Sequence, residues 1–390
     1  VSIPQRSFRE TIDFSPEEDF EIFLKRVPAR WVVYLLTDEE DRPVQLLCVR
    51  NLRQSLKRRL GGAEELGPSR RVNYRDLVRH IHYRRVDSAF ESDWIYYETA
   101  REYFPRTYQG MVGFRPAWFI HVDSGAEFPR YTKTIDLTPR DGVVLGPLED
   151  KHAAARLIQS IEDAFDLCRF YNILVESPRA KACAYKEMGK CPAPCDGTIL
   201  LGQYRVMMEW SFHVLTHQAE FVEQQTARMG QAAAELRFET AGKINGLIKQ
   251  VSDWGKGAFR FVKPLAAFAM VAIQRGPREG AAKIFLILPG VIEEVAAQLP
   301  GGSSIADLLE CIAHAVEDRA RREGASTEVA AERIGIVAHH LFLARQTSGV
   351  FLALESVNAR SLAQALRDLQ KQKVKESGDE EGLEKELQAL

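Results

Sequence analysis

Four of the chain's six cysteines fall within 28 residues, and no other feature restricts the fold as strongly. Cys168, Cys183, Cys191 and Cys195 are spaced C-x14-C-x7-C-x3-C, with Pro192 and Pro194 stiffening the last loop. Six cysteines in 390 residues are too few for a disulfide scaffold, so in a reducing compartment this grouping favours metal ligation. Zinc takes four tetrahedral thiolates, often from C-x2-C knuckles, whereas iron-sulfur clusters also take four thiolates and tolerate wider spacing. No C-x2-C pair is present here, which leans toward iron-sulfur. Four buried structural cysteines are the plainer alternative, and the hydrophilic, Pro-rich surroundings argue against it. Cys48 and Cys311 stand alone and read as small apolar residues.

Around this stretch the chain reads as two or three globular units of the α+β class. Ala29 to Leu47 holds two apolar runs separated by DEEDRP, a hairpin signal. In NLRQSLKRRL, Leu52, Leu56 and Leu60 share one helix face before Gly61-Gly62. The spacing predicts helix in two pieces over 72–103, then strands at Pro116–Val122 and Arg130–Leu137. A helix over 151–167 leads into the cysteines, and 201–251 is helical almost throughout. A hairpin is expected from Ala267–Ile273 and Lys283–Leu288, followed by helices near 304–323, 328–344 and 359–373. Residues 376–390 hold six acids and one base, a solvated tail.

The formal charge of −2 excludes attraction to nucleic acid or anionic lipid by the chain as a whole, so any such attraction is local. Residues 50–85 carry eleven Arg or Lys against three acids, a local charge of +8. Guanidiniums interleaved with Tyr74 and Tyr83 suit a phosphate backbone, although a basic run is as often a solvated helix face. The longest apolar run, Leu265–Ile273, is nine residues, short of the roughly 20 a spanning helix needs. No membrane role and a cytoplasmic location are the expectations.

Three stretches in order resemble the N-terminal half of UvrC, the incision subunit of bacterial nucleotide excision repair. The first is VVYLL, NLRQSLKRRL and GFRPAWFIHVDSGAEFPRYTKT, similar to the family's GIY-YIG nuclease domain and the segment after it. The second is ACAYKEMGKCPAPCDG, whose C-x7-C-x3-C core is a family signature, with Cys168 as the fourth ligand. The third, MGQAAAELRFETAGKINGLI, is similar to the UVR motif M-x-x-A-A-x-x-L-x-F-E-x-A, which in the family pairs with a like motif on UvrB. The resemblance implies a 4Fe-4S cluster on Cys168, Cys183, Cys191 and Cys195, with zinc as the alternative. It implies DNA binding through Arg50, Arg53, Lys57, Arg58 and Arg59. It further implies docking of a UvrB-like partner through Met229, Ala233, Leu236, Phe238, Ala241 and Ile244. The motif's two short apolar faces form a hairpin too small to bury both alone, so a second hairpin would complete its core. Asn245 and Gly246 stand where the family has Arg and Asp.

The organisation this implies is an extension over 1–27, a GIY-YIG-like domain with following strands over 28–145 and a helical cysteine-cluster module over 146–218. A UVR hairpin over 219–252, an α+β domain of unassigned role over 253–375 and the acidic tail over 376–390 complete it. GIY-YIG chemistry needs a proton acceptor for water, a cation against the phosphate and a carboxylate holding Mg or Mn. Tyr34 matches the first half-motif tyrosine, and Glu98 is the candidate metal glutamate, with Glu91 the runner-up. Gln45, Leu47 and Cys48 replace the second half-motif's tyrosine, glycine and lysine, and Ser55 replaces the arginine. The expectation is a DNA-binding protein whose nuclease site is vestigial or weak. The alternatives are an active metal-dependent endonuclease making a single incision and a non-catalytic interaction scaffold. His213 and His217 lie four apart but lack the Glu of a zinc protease motif, and no P-loop sequence is present.

Overall fold

The computed structural model describes residues 8–61, 73–138, 141–298, 302, 304–320, 327–342 and 349–371. Its first region runs β1 (Glu10–Asp13), α1 (Phe20–Arg26), β2 (Val32–Thr37), β3 (Pro43–Val49) and α2 (Leu52–Leu60), then α3 (Tyr74–Leu77), β4 (His80–Arg85) and α4 (Ala89–Tyr103). The strands form an antiparallel sheet in the order β1-β4-β2-β3. Side chains alternate across a strand, and on β2 this decides the layering. Val32, Tyr34 and Leu36 join α1 and α2 in one core, whereas Val33 and Leu35 face the core that contains α4. Helix α2 is capped by Asn51, whose side chain accepts the Gln54 N–H at 3.1 Å, and Lys57, Arg58 and Arg59 complement its C-terminal dipole.

The helix expected over 72–103 is interrupted. Only α3 and α4 are helical, and His80–Arg85 pairs with both β1 and β2 as an inner strand. Its period is two: Ile81 and Tyr83 enter the core with Tyr34, while His82 and Arg84 point to the opposite face. Residues read as an N-terminal extension complete this unit, because β1 pairs with β4 and Phe14, Phe23 and Leu24 are buried in the α1–α2 core.

The middle region comprises β5 (Trp118–Val122), β6 (Tyr131–Thr134), β7 (Val143–Leu148), α5 (Lys151–Ala164), α6 (Tyr171–Leu174), α7 (Ala184–Glu187), α8 (Leu201–Thr216), α9 (Gln218–Ala234), α10 (Phe238–Asp253) and β8 (Lys263–Pro264). The sheet order is β6-β5-β7-β8. Strand β7 is absent from the sequence expectation because its Gly-Pro pair reads as a turn. Asp150 caps α5 by accepting the N–H groups of His152 and Ala153, and Ala153, Ala154, Leu157 and Ile161 bury its inner face against Ile120, Leu145 and Leu148.

The last region holds β9 (Met270–Arg275), β10 (Ala282–Leu288), β11 (Val291–Gln298), α11 (Ile305–Ala320), α12 (Thr327–Phe342), β12 (Val350–Ala353) and α13 (Ala359–Lys371). The expected hairpin is β9–β10, and β11 and β12 extend it to the order β11-β10-β9-β12. Helices α11 and α13 cover one face through Leu308, Ile312, Leu362 and Leu366. The other face presents Met270, Ala272, Phe285 and Ile287 to α4 and α12. One apolar core therefore runs from the first sheet through α4 into the third, so the third sheet and α12 are packed onto the first unit. The acidic tail 376–390, with Arg70 and Arg71 of the basic stretch, lies outside the described residues. Among the described residues no helix is long and apolar enough to cross a membrane.

Helix α12 approaches the chain before β5 closely. A Cβ at Gly335 would lie 2.4 Å from the Arg115 carbonyl oxygen and 3.1 Å from Pro116 Cα. Gly335→Ala should therefore destabilise the protein by about 1–3 kcal/mol in urea unfolding, even though alanine is the better helix former by about 1 kcal/mol. A net gain in stability would contradict this packing.

Candidate functional site

The pieces expected of a nuclease site lie on two sides of the first sheet. Tyr34 is fully buried on the α2 side, and its hydroxyl hydrogen-bonds Ser55 Oγ at 2.9 Å. Ser55 thus fills the place where the resemblance puts an arginine with a short neutral partner for the phenol. Gln45 Oε1 accepts from Arg59 at 3.2 Å, which holds that guanidinium against β3. The Cys48 thiol accepts the Trp31 indole N–H at 3.3 Å, and burial pushes it up to about 11. Of the other expected phosphate contacts, Arg50 lies 3.7 Å over the Trp31 ring, Arg53 donates to the Val27 carbonyl, and Lys57 and Arg58 are exposed.

Glu98 sits on α4, on the opposite face of the sheet, and the structure does not bring it to Tyr34. Its carboxylate is held by Arg333 of α12 in two bonds, from Nε at 2.8 Å and Nη2 at 2.9 Å, while Arg333 Nη1 donates to the Gly290 carbonyl. Glu91 is almost fully buried, accepts the Asp87 N–H and pairs with Lys283 of β10 at 2.6 Å. Burial raises the Glu91 carboxyl, and the ammonium pulls it back. Asp87 meets the same lysine at 2.7 Å. Tyr97 and Tyr108 both donate to Glu332, at 2.5 and 2.9 Å, and Asp93 meets His340 at 2.9 Å. Both carboxylates proposed for a nuclease metal are thus occupied by cations of the C-terminal region. Lys283, Glu332 and Arg333 were not foreseen, since nothing local in the sequence marks a partner more than 190 residues away.

The four cysteines converge between α5 and α8. The Cys168 N–H donates to Tyr204, Ala180 N–H to the Cys195 carbonyl, Ser177 to the Pro194 carbonyl and Arg169 to the Lys190 carbonyl, so all segments of the loop are tied together. Ala193 and Gly197 take left-handed φ values of 52° and 79°, which turn the KCPAPC segment back on itself. The Cys168 thiol donates to the Phe170 carbonyl at 3.6 Å. Cys168 and Cys191 influence one another: the neighbouring Cys168, with the Ala193 N–H and Arg169, holds the Cys191 thiol below its ordinary value, while Cys191 and burial push Cys168 up. Among the described residues no three His, Cys, Asp or Glu side chains are spaced to hold one ion. His213 and His217 stack at 4.3 Å between ring centroids.

The segment read as a UVR motif is the antiparallel pair α9–α10. Its turn is a Schellman closure, in which Arg237 N–H reaches the Ala232 carbonyl at 2.8 Å and Leu236 N–H the Ala233 carbonyl at 3.0 Å. Leu236 occupies the left-handed position, φ 59°, that glycine usually fills. Phe221, Val251 and Trp254 root the pair in the middle core, and Trp254 donates to Ser160 at 2.8 Å. Toward the tip Met229, Ala233, Ala241 and Ile244 are half-buried, and Leu236 and Phe238 are 73% and 66% exposed.

Part of the chain is similar to known proteins. Residues 117–212, which include β5, most of α8 and all four cysteines, match the model of the UvrC/Cho excinuclease middle domain. The chain is UvrC-like. It is 25% identical over 230 residues to UvrABC system protein C of Trichlorobacter lovleyi and 26% over 236 residues to that of Caldanaerobacter subterraneus, covering 58% and 59% of this chain. The protein of the same name from Syntrophomonas wolfei is 24% identical over 275 residues, 69% of this chain. The chain spans 37% of the length of the first two relatives and 44% of the third. No solved structure matches it.

Two outcomes test this geometry. A double-mutant cycle of Glu98→Gln and Arg333→Met should return a coupling of about 1–3 kcal/mol in urea unfolding; additive effects would remove the clamp. Burial pushes Glu162, on α5, up to about 7 from 4.5. Because the folded value is the higher one, its proton stabilises the fold fully below 4.5, and that contribution is lost as pH rises through about 7. The stability difference between wild type and Glu162→Gln should therefore shift against wild type across that window, and a flat difference would show that Glu162 is solvated.

Proposed function

We propose that this chain is a DNA-binding, UvrC-like component of nucleotide excision repair that docks a UvrB-like partner and cuts DNA poorly or not at all. The observation that carries this reading is the pairing of Glu98 with Arg333 on one face of the sheet while Tyr34 is bonded to Ser55 on the other. A phosphoryl-transfer site needs water activation, a cation and a metal carboxylate converging on one phosphate. Here the phenol is buried with a hydroxyl partner, and the carboxylate is already neutralised. Arg53, Lys57 and Arg58 on α2, with Arg50 and Arg59 beside them, supply the sequence-independent attraction to a phosphate backbone.

Cys168, Cys183, Cys191 and Cys195 would hold a 4Fe-4S cluster. Cys168, Cys191 and Cys195 influence one another within a single loop, as thiolates sharing one inorganic group would, with zinc as the alternative. When bound, the group would cross-link segments that have little regular structure of their own, and its chemistry here is structural. The tip of α9–α10 offers Leu236 and Phe238 to a second helical hairpin, which would bury faces that the pair leaves open.

Anaerobically purified protein should contain iron and acid-labile sulfide, retain duplex DNA with a steep salt slope that Lys57→Gln/Arg58→Gln flattens, and fail to nick plasmid with Mg or Mn. Absence of iron, a salt-independent affinity or rapid nicking abolished by Glu98→Ala would each overturn the corresponding part.

A further inference from the structure

A cleft of about 1100 Å³ opens between α4 and the third sheet, lined by Arg84, Trp94, Glu98, Arg101, Arg106 and Arg319 among others. A second hollow of about 370 Å³, sharing Arg84 and Trp94, continues it past Arg9 along β11. Among the described residues β11 is the edge strand of its sheet, paired with β10 alone. Neither hollow contains any residue of α2, and Tyr34 lines neither.

Where the two hollows join, two guanidiniums, Arg9 and Arg84, face one carboxylate, Glu294. Arg84 points from β4 to the α4 face with a side chain only 14% exposed. Among the described residues no acceptor hydrogen-bonds it, and the nearest carboxylate, Glu294, is 4.0 Å away. Arg9 repels it, and burial with that repulsion lowers its affinity for its own proton despite Glu91 and Glu294. Glu91 is committed to Lys283 and the Asp87 N–H. The indole N–H of Trp94 is enclosed with no acceptor. Farther along, three carboxylates line the cleft, Glu98 engaged by Arg333, Glu293 engaged by Arg319 at 2.6 Å, and Glu102, while Arg106 is exposed. A half-buried guanidinium without a hydrogen-bonded anion, a second guanidinium beside it and an orphaned indole N–H are costly together. All three residues line the second hollow, so an anionic oxygen group bound there would offset the two positive charges beside the indole, and a planar guanidinium matches a phosphate's paired oxygens.

We propose that Arg9, Arg84 and the Trp94 indole form a phosphate-binding site at the junction of the nuclease-like unit and the C-terminal region, taking a phosphodiester of a nucleic-acid strand or a free phosphate group. The adjoining cleft, with Arg101 and Arg106, has room for the nucleotides flanking that phosphate. This site lies apart from the α2 surface, so it gives the C-terminal region a ligand-binding role of its own.

The test uses the full chain labelled with 15N-indole tryptophan, the Trp94 resonance being assigned with Trp94→Phe. Inorganic phosphate, thymidine monophosphate and a short oligothymidylate are titrated at constant ionic strength. The Trp94 N–H signal should shift saturably, and Arg84→Gln should weaken the tightest probe by about ten-fold or more. An oligothymidylate Kd at least ten times lower than that of the monophosphate identifies a strand as the ligand; equal affinities identify a free phosphate group. No saturable shift with any probe, or an unchanged affinity in Arg84→Gln, overturns the proposal. Should Arg84→Gln not fold, Arg9→Gln carries the test, because Arg9 is exposed, and an unchanged affinity there is equally fatal. Lys57→Gln/Arg58→Gln should leave the response to inorganic phosphate intact, so loss of DNA binding through α2 and loss of this site are read separately.

Discussion

Helix α4 lies between two sheets, and the organisation of the molecule depends on how its polar residues are satisfied there. A carboxylate taken out of water is costly unless a cation or several donors replace the solvent. On α4 those partners come from the far end of the chain: Lys283 for Glu91, Arg333 for Glu98 and His340 for Asp93, with Glu332 accepting from Tyr97. Phe90 meets Phe285, Phe351 and His340 edge-on in the same interface, so apolar and charged complementarity act together. The C-terminal region is therefore part of the environment of the first unit, and neither can be described without the other.

The same layering keeps Tyr34 and Glu98 on opposite faces of the first sheet. The Ser55 bond closes the Tyr34 hydroxyl inside the α1–α2 core. Helix α2 keeps a basic outer surface while its inner face is occupied by Leu52, Leu56 and Leu60. On the other face, positive charge that would oppose a metal at Glu98 is already present in Arg333, only partly solvated.

The middle region carries two further features on one core. Tyr204 of α8 and Leu167 help to bury the base of the cysteine loop, and Phe221, Val251 and Trp254 anchor the helical pair a short distance along. Rigid attachment at the root and exposure at the tip are what an interaction hairpin requires, because an anchored pair loses little entropy when its apolar tip is covered.

Local patterns were sufficient for much of this. The β2–β3 hairpin, α2 with its Asn51 cap, α5, the helical pair bent at Leu236 and the cysteine spacing are all readable from the sequence, since each depends on residues within one or two turns of each other. Strand β4 was hidden because HIHYRR sits between helical segments and its alternation is legible only once Ile81 and Tyr83 are seen to pack against β2. β7, β11 and β12 were missed for the same reason, being stabilised by pairing across the sheet and not by their own residue types. The sequence by itself determined which residues have the chemistry to bind thiophilic metals, phosphates or a partner helix. Only the tertiary structure decided that Glu98 and Glu91 are neutralised, that Tyr34 faces away from them and that Arg84, Arg9 and Trp94 meet at one cleft. Long-range electrostatic partners are chosen by how faces pack, and no spacing along the chain encodes that choice.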